Sequence, residues 1–358
     1  IDIATSLTTD QIKEKFKDTK FNIIDSGLKH GTVTLVSDQL KLELTTLRKD
    51  VKTDGRHAEI EYTDDWQKDS ERRDFTINAI YLDINGKIFD PQLGTADLRN
   101  RNVKFIGDPY KRIEEDYLRI IRFIRFSLEY ESQVEQTTVE AIKLNLDGII
   151  KISKERILSE LFKILRIKNF VKLNKNKNLK DIFLLIFPEL KNIQIFFKLS
   201  EEKRKFLKDN DFIFLLSLMI IDETDNAEYF LYKFNISKKD QKRLKLIDTF
   251  YKEKTSVKNF TEKNFNKIFY FNGRQAVIDI INFKLFKSNK VDKKLIKLIK
   301  VYEDKAVPTM PIGANILMSK YNIPEGKTLG NKLKIIEEVW VENGFQISDR
   351  QIQKIIKV

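Results

Sequence analysis

The pattern of the chain changes near Asp108-Pro109, and this change limits the folds that it can adopt. Before that point, short apolar or alternating runs at residues 31–36, 40–44 and 79–82 predict β-strands. After it, Pro109 stands in the first turn of a helix that Asp108 can cap, and helical periodicity continues with few glycines or prolines. We therefore expect an α/β region followed by an all-α region.

The length of the chain predicts several domains. It has 358 residues, and single domains usually contain about 100–200. The helical pattern is interrupted near residues 199–201 and again at residues 307–311, which contain two prolines. These boundaries predict four regions, an α/β head and three helical regions, at residues 1–105, 106–165, 166–305 and 306–358.

Charge and composition restrict the partners and the metal chemistry. The formal net charge of +13 indicates an anionic partner, with nucleic acid first and an anionic membrane surface second, although a lysine-rich solvated surface also explains it. The chain has no cysteine and two histidines, so any metal must be held by oxygen ligands. Because no apolar stretch reaches the ~18–20 residues of a membrane span, we expect a soluble cytoplasmic protein.

The segment from Glu71 to Ile80 combines charged and amide groups with an apolar run. The guanidiniums of Arg72 and Arg73 can donate to phosphate oxygens, whereas Asp74 and Asn78 can bind ribose hydroxyls. A surface salt-bridge cluster before a buried strand is the simpler alternative. We assign Arg73, Asp74 and Asn78 to nucleotide binding and leave Arg72 as a structural residue.

A helix predicted from Pro109 carries a second polar group beside its apolar face. That face is formed by Ile113, Tyr117, Ile120, Ile121, Ile124 and Leu128. Asp116 and Arg119 are three residues apart, so they can form a local ion pair. They can also read a base, because cytosine and adenine both present an amino donor beside a ring-nitrogen acceptor, which a carboxylate and a guanidinium complement. Arg122, one turn further along, is a candidate phosphate contact.

Two carboxylates on predicted strands are candidates for catalysis and metal binding. Asp2 stands in the run Ile1-Asp2-Ile3, and Glu43 stands between Leu42 and Leu44. Residues two apart on a strand face the same side, so Glu43 should face away from its apolar neighbours. A solvent-facing strand residue is the alternative for Glu43.

Taken together, residues 1–5, 71–80 and 115–119 resemble the bacterial-type tRNA CCA-adding nucleotidyltransferases and the closely related bacterial poly(A) polymerases. The resemblance implies a polymerase-beta-like α/β nucleotidyltransferase head, truncated at its N-terminus, followed by an all-α neck, body and tail. In this family the first strand carries an Asp-x-Asp pair after a glycine-rich turn. Asp2 matches the second aspartate, and the first would immediately precede residue 1.

The resemblance also assigns roles. It implies that Asp2 and Glu43 hold two Mg²⁺ ions for catalysis and that Asp116 and Arg119 select CTP and ATP. Residues 48–66 are polar and without convincing periodicity, so they predict a mobile loop, and the resemblance implies that this loop helps the switch from CTP to ATP. Residues 152–161, where Ser153 can cap a helix, also match the family and are expected to brace the nucleotide-reading helix. Transfer RNA is the implied partner, with residues 238–243 and 295–300 as candidate contacts; the oligomeric state stays unknown.

Three functions follow from these residues. The first is template-independent addition of CCA to the 3′ end of tRNA. The second is a poly(A) polymerase that adds AMP to RNA 3′ ends, since that enzyme shares nearly all of these motifs. The third is a catalytically inactive RNA-binding relative, which is expected if the first aspartate of the pair is missing from the natural protein.

Overall fold

The computed structural model describes residues 1–28, 31–53, 58–167, 170–197, 203, 211–252, 260–288 and 292–357. The chain folds into two compact units, Ile1–Pro188 and Glu189–Val358. The first unit contains a small β-sheet and then helices, and the described part of the second is helical. The expected α/β head followed by helical regions is therefore confirmed, while the division into four regions stays a prediction.

The head is built on a mixed sheet covered by one helix. Strands β1 (Asp2–Thr5), β2 (Asn22–Gly27), β3 (Thr32–Val36) and β4 (Lys41–Thr46) lie in the order β1-β4-β3-β2. β1 is parallel to β4 and the other pairs are antiparallel. Helix α1 (Thr9–Phe16) begins with a capping box formed by Thr8 and Gln11 and buries Ile12 against the sheet. These contacts leave the opposite face of β4 available for polar side chains.

The prediction of a loop without regular structure over residues 48–66 is wrong. Strands β5 (Arg48–Thr53) and β6 (Ala58–Tyr62) form an antiparallel hairpin, and α2 (Trp66–Glu71) follows it. A register shift between Asp50 and Lys52 interrupts the regular pairing of the two strands, and such irregular pairing is consistent with the absence of a strand period in the sequence. His57 and the other residues of 54–57 lie outside the described residues.

A compact segment links α2 to the helices of the first unit. It contains a 3₁₀ turn at Thr76–Asn78, the short hairpin β7 (Tyr81–Leu82) and β8 (Ile88–Phe89), and α3 (Gly94–Arg99). Glycine is required at residue 94, because a Cβ built there would lie 2.1 Å from the carbonyl oxygen of Thr76. The close approach packs α3 against the turn that contains Asn78.

The continuous helix predicted from Pro109 to Leu128 is wrong in one respect. The chain forms α4 (Pro109–Glu115) and α5 (Leu118–Glu129), separated at Asp116, whose φ of −154° and ψ of 103° are extended. Burial of Ile113, Ile120, Ile121, Ile124 and Leu128 confirms most of the predicted apolar face, but Tyr117 is only partly buried. Helices α6 (Gln136–Leu144), α7 (Lys154–Arg166) and α8 (Lys177–Ile186) follow, with 3₁₀ segments at Leu146–Lys151, Phe170–Lys175 and Pro188–Ile193.

The second unit is a set of helices around a core rich in phenylalanine. A cluster around Leu317 and Ile336 forms a further core near the C-terminus. Residues 307–311 contain no regular element, as predicted, whereas residues 199–201 lie outside the described residues. Within the described residues, no helix is both long and apolar enough to cross a membrane. The helices are α9 (Gln194–Phe197), α10 (Phe212–Ile220), α11 (Asn226–Lys233), α12 (Lys238–Lys252), α13 (Glu262–Asn272), α14 (Arg274–Lys287), α15 (Lys293–Asp304), α16 (Ala314–Tyr321), α17 (Lys327–Glu342) and α18 (Asp349–Lys357).

Candidate active site

Asp2 and Glu43 lie side by side on neighbouring strands. They are register partners in the parallel pair β1 and β4, and registered residues of paired strands project from the same face of a sheet. Leu42 and Leu44 pack into the core on the other face, so Glu43 faces outward as predicted. Its carboxylate accepts a 2.6 Å contact from Lys41 Nζ. The geometry brings together two hard oxygen donors of the kind that Mg²⁺ prefers.

The arginines after α2 are held by Asp69, a buried carboxylate. Asp69 lies 2.7 Å from Arg72 Nη2 and 3.1 Å from Arg73 Nη2, and it accepts a 2.7 Å hydrogen bond from the Tyr81 hydroxyl. The backbone N–H of Arg48 also donates to it, at 3.2 Å, which ties the end of the β4–β5 connection to this cluster. Burial raises the pKa of Asp69, but the two guanidiniums and Tyr81 more than offset this, so its pKa lies below the ordinary value.

Asp74 links the predicted ribose-binding segment to α5. Its Oδ2 accepts a 2.6 Å hydrogen bond from Arg122 Nε, and its Oδ1 accepts bonds from Asn78 Nδ2 at 2.9 Å and from the Phe75 N–H at 3.0 Å. Burial raises the pKa of Asp74, but the Arg122 guanidinium and the amide donors lower it by a larger amount, so the pKa lies below its usual range. Asp74 is therefore an ionised, fully oriented acceptor, and Arg122 is its partner.

Asp116 and Arg119 do not pair with each other through their side chains. Asp116 Oδ2 accepts a 2.8 Å hydrogen bond from Arg156 Nη2 on α7, and Asp116 Oδ1 caps the N–H of Leu118 at 3.1 Å. The local ion pair between Asp116 and Arg119 is thus wrong as an explanation of their spacing. Because Asp116 stands at the break between α4 and α5, its carboxylate contacts Arg156 on α7 and not Arg119 on α5.

Arg119 belongs to a network that joins α4, α5 and the segment after α2. Its Nη1 lies 2.7 Å from Glu115 Oε2 and donates to the Arg112 carbonyl oxygen at 2.7 Å. Arg112 Nη1 shares the same Glu115 oxygen at 2.5 Å. The Arg112 Nη2 group donates to the carbonyl oxygens of Arg72, at 2.8 Å, and Arg73, at 2.5 Å. The base-reading candidates and the ribose-binding candidates are therefore contiguous.

Helix α7 braces α5, as the resemblance implied. Ser153 caps it by accepting from the Arg156 N–H. Glu160, which is 3% exposed, accepts a 2.8 Å hydrogen bond from Arg125 Nε and lies 3.8 Å from Arg122 Nη1. Burial raises the pKa of Glu160, but Lys163 and Arg125 lower it below its ordinary value. An ionised Glu160 thus orients the arginines on the face of α5 that meets Asp74.

The arrangement can bind a nucleotide along one connected surface. Asp74, Asn78 and Arg122 meet through direct hydrogen bonds, and Arg119 joins them through Arg72 and Arg112. Asp2 and Glu43 form a separate pair on the sheet. In the part of the chain that the structure describes, no group of three or more acidic or histidine side chains is close enough to hold a metal ion.

Comparison with known proteins places this site in a family. A Poly A polymerase head domain model matches residues 1–104, and a model described as a probable RNA and SrmB-binding site of polymerase A matches residues 133–193. The mitochondrial CCA tRNA nucleotidyltransferase 1 of Mus musculus is 33% identical over 375 residues, which cover 100% of this chain and 82% of the relative. The chain belongs to the CCA tRNA nucleotidyltransferase family. The resemblance read from its motifs is confirmed.

Bacterial members of the family and solved structures agree with this assignment. The CCA-adding enzyme of Streptococcus uberis is 29% identical over 96% of this chain and 84% of its own length. The Bacillus stearothermophilus CCA-adding enzyme, solved in complex with CTP, matches with a TM-score of 0.70 at 23% identity, over 99% of this chain and 87% of the solved chain. The Thermotoga maritima CCA-adding enzyme complexed with tRNA matches with a TM-score of 0.57 at 17% identity, over 100% and 86%. These structures confirm the fold.

Sequence reasoning missed several residues that organise the site. Asp69 was not singled out, although its spacing of three and four residues from Arg72 and Arg73 is the ion-pair spacing of a helix. The same spacing relates Glu115 to Arg119. Nothing in the sequence indicated that Arg112 meets carbonyl groups 39 and 40 residues away.

Proposed function

We propose that this chain adds CCA to the 3′ end of tRNA from CTP and ATP by nucleotidyl transfer without a nucleic-acid template. The observation that carries the proposal is the 33% identity, across the whole chain, to an enzyme named as a CCA tRNA nucleotidyltransferase. Solved structural relatives named as CCA-adding enzymes have been obtained with CTP, with ATP and with tRNA. The chain is accordingly an enzyme, and tRNA, CTP and ATP are its partners.

The connected site supports a division of roles. Arg73, Asp74, Asn78 and Arg122 bind the sugar and phosphates of the nucleotide, since they present charged donors and a carboxylate acceptor on one surface. Asp116 and Arg119 read the base. In the structure each has another ionic partner, Arg156 and Glu115 respectively. The incoming base must therefore replace hydrogen bonds to these partners, which orient the two side chains before the base arrives.

Asp2 and Glu43 fit the metal-dependent step. Mg²⁺ bound there would polarise the triphosphate and favour the attack of the tRNA 3′-hydroxyl. The two carboxylates would hold it from adjacent strands, and Lys41 Nζ lies 2.6 Å from the Glu43 carboxylate. The basic helices α12 and α15 would contact tRNA phosphates. Arg243 is not among these contacts, because it pairs with Asp279 and Asp211. A cytoplasmic location stays a prediction.

The test is incubation of the protein with a tRNA that ends just before CCA, using each nucleotide alone and CTP with ATP. We expect two additions with CTP alone and three with both nucleotides, and no further extension. Asp2→Asn should abolish both reactions, because it removes a proposed metal ligand. It should leave tRNA affinity unchanged, because Asp2 is exposed on β1 and its replacement should not disturb the fold. Asp18→Asn, an exposed aspartate in the turn after α1, is the matched control and should keep full activity.

Poly(A) polymerase activity is the second candidate, because both matching family models are named for that enzyme. Long adenylate tails on unrelated RNAs with ATP alone would select it and overturn CCA addition. No extension of any RNA, together with intact tRNA binding, would select the inactive RNA-binding relative instead.

A further inference from the structure

Arg112 connects the base-reading helices to the ribose-binding segment. We propose that it is a positioning residue, which sets the backbone of Arg72 and Arg73 so that Asp74 and its neighbours meet the ribose of the incoming nucleotide. The inference rests on the proposed function and extends it to a residue outside the motifs that indicated nucleotide binding.

The contacts of Arg112 are specific to a guanidinium. One side chain on α4 donates through Nη2 to two consecutive carbonyl oxygens, at 2.8 and 2.5 Å, and through Nη1 to the Glu115 carboxylate at 2.5 Å. The side chain is 12% exposed. A planar fork with donors on both terminal nitrogens can make these three contacts at once, whereas the single ammonium of lysine cannot span them with the same geometry.

The two carbonyls immediately precede the groups proposed to bind the sugar. The carbonyl of Arg73 belongs to the peptide that joins Arg73 to Asp74, so the orientation of this peptide sets the position of the Asp74 side chain. Asp74 then reaches Arg122 at 2.6 Å and Asn78 at 2.9 Å. A shift of this peptide would therefore move the whole ribose-binding group relative to α5.

The same anchor also meets the base-reading group. Glu115 Oε2 accepts from Arg112 Nη1 and from Arg119 Nη1, and the Arg112 carbonyl accepts a second bond from Arg119 Nη1 at 2.7 Å. Arg112 thus lies between the guanidinium proposed to read the base and the segment proposed to hold the sugar. It sets the separation between the two halves of the nucleotide site without touching the reacting atoms.

The test compares CTP with 2′-deoxyCTP, since only the ribose hydroxyl differs. Full-length protein is assayed with tRNA lacking CCA, and kcat/KM is measured for both nucleotides. For Arg112→Gln we expect the preference for CTP to fall about tenfold, because small displacements of positioning groups cost large factors in rate. Arg112→Lys keeps the charge beside Glu115 but loses one carbonyl contact, so its preference should be intermediate.

Arg243→Gln is the matched control. Arg243 is also a largely buried arginine, with a side chain 16% exposed and ion-paired to Asp279, but it lies in the second unit. Its replacement should lower the thermal unfolding midpoint and leave the preference for CTP unchanged. Equal losses of kcat/KM for CTP and 2′-deoxyCTP in Arg112→Gln would mean that Arg112 only stabilises the fold, and this would overturn the proposal.

Binding measurements separate the inference from the proposed function. The affinities for CTP and 2′-deoxyCTP are measured by calorimetry on the same proteins. If the unchanged protein binds CTP but extends no tRNA, the proposed function fails, and an unchanged ratio of affinities in Arg112→Gln would still refute the role of Arg112. If Arg112→Gln does not fold, Arg112→Lys carries the test, and a wild-type ratio in that variant overturns the proposal.

Discussion

Replacing Asp69 by asparagine should destabilise the first unit far more than the removal of any exposed charge on α2. Asp69 is fully buried and accepts from Arg72, Arg73, Tyr81 and the backbone of Arg48. The substitution removes the negative charge and leaves two guanidiniums against a neutral amide. Leaving a buried charge without its partner costs ~3–5 kcal/mol.

We expect the lower end of that range. The side chains of Arg72 and Arg73 are 14% and 30% exposed, so water compensates part of their lost partner. Asparagine also keeps one acceptor oxygen. With a loss of ~3 kcal/mol and a urea m-value of ~2 kcal/mol/M, the unfolding midpoint should fall by ~1.5 M.

Trp66 provides the assay. The chain has two tryptophans; Trp66 begins α2 and packs edge-on against Tyr81 at 5.2 Å, whereas Trp340 lies in the second unit. In a Trp340→Phe background, fluorescence in urea follows the unit that contains Asp69. Glu71→Gln, an exposed charge removed from the same helix, should change stability by less than ~0.5 kcal/mol. A midpoint for Asp69→Asn within that margin would refute the reasoning.

Three further outcomes are expected. Arg119→Ala should reduce selection of CTP and ATP over UTP and GTP by ~1–3 kcal/mol, the value of a base-edge contact; unchanged incorporation ratios would make Arg119 only the partner of Glu115. Asp74→Asn should lower the thermal midpoint by the same amount from pH 5 to 8. The pKa of Asp74 in the folded protein lies below the ordinary ~3.9, so the stability that its ionised form contributes is complete above ~3.9 and is lost only as pH falls through the folded pKa. A difference in thermal midpoint between the two proteins that varies between pH 5 and 8 would contradict this direction of the shift. EDTA should stop nucleotide addition, with Mg²⁺ restoring it, while tRNA binding persists in a filter assay; addition that continues without divalent ions would exclude the metal role of Asp2 and Glu43.

Local sequence patterns predicted the elements whose stability is local. The Ser153 cap and the outward orientation of Glu43 are confirmed, because the cap depends on neighbours within four residues and the orientation depends on strand alternation. The change from α/β to helical structure near Pro109 is confirmed for the same reason.

The errors arose where the backbone leaves its regular period. The β5–β6 hairpin contains a register shift in its strand pairing, so its sequence carries no regular strand period. Asp116 interrupts the predicted helix, although the apolar spacing of the sequence continues across the break. Gly148 packs against Tyr117, the residue that follows Asp116 at this break, and a Cβ at residue 148 would lie 2.0 Å from the Tyr117 ring. The apolar spacing of residues 113–128 contains no sign of that packing.

The motifs along the chain predict which functional groups form the candidate site: the carboxylates, guanidiniums and amide that resemble those of the family. The partner of each group depends on the fold. Asp116 pairs with Arg156, 40 residues away, and Asp74 pairs with Arg122, 48 residues away. Ionic partners are selected by distance in space and by burial, which lowers the effective dielectric around them, and neither quantity can be obtained from spacing along the chain.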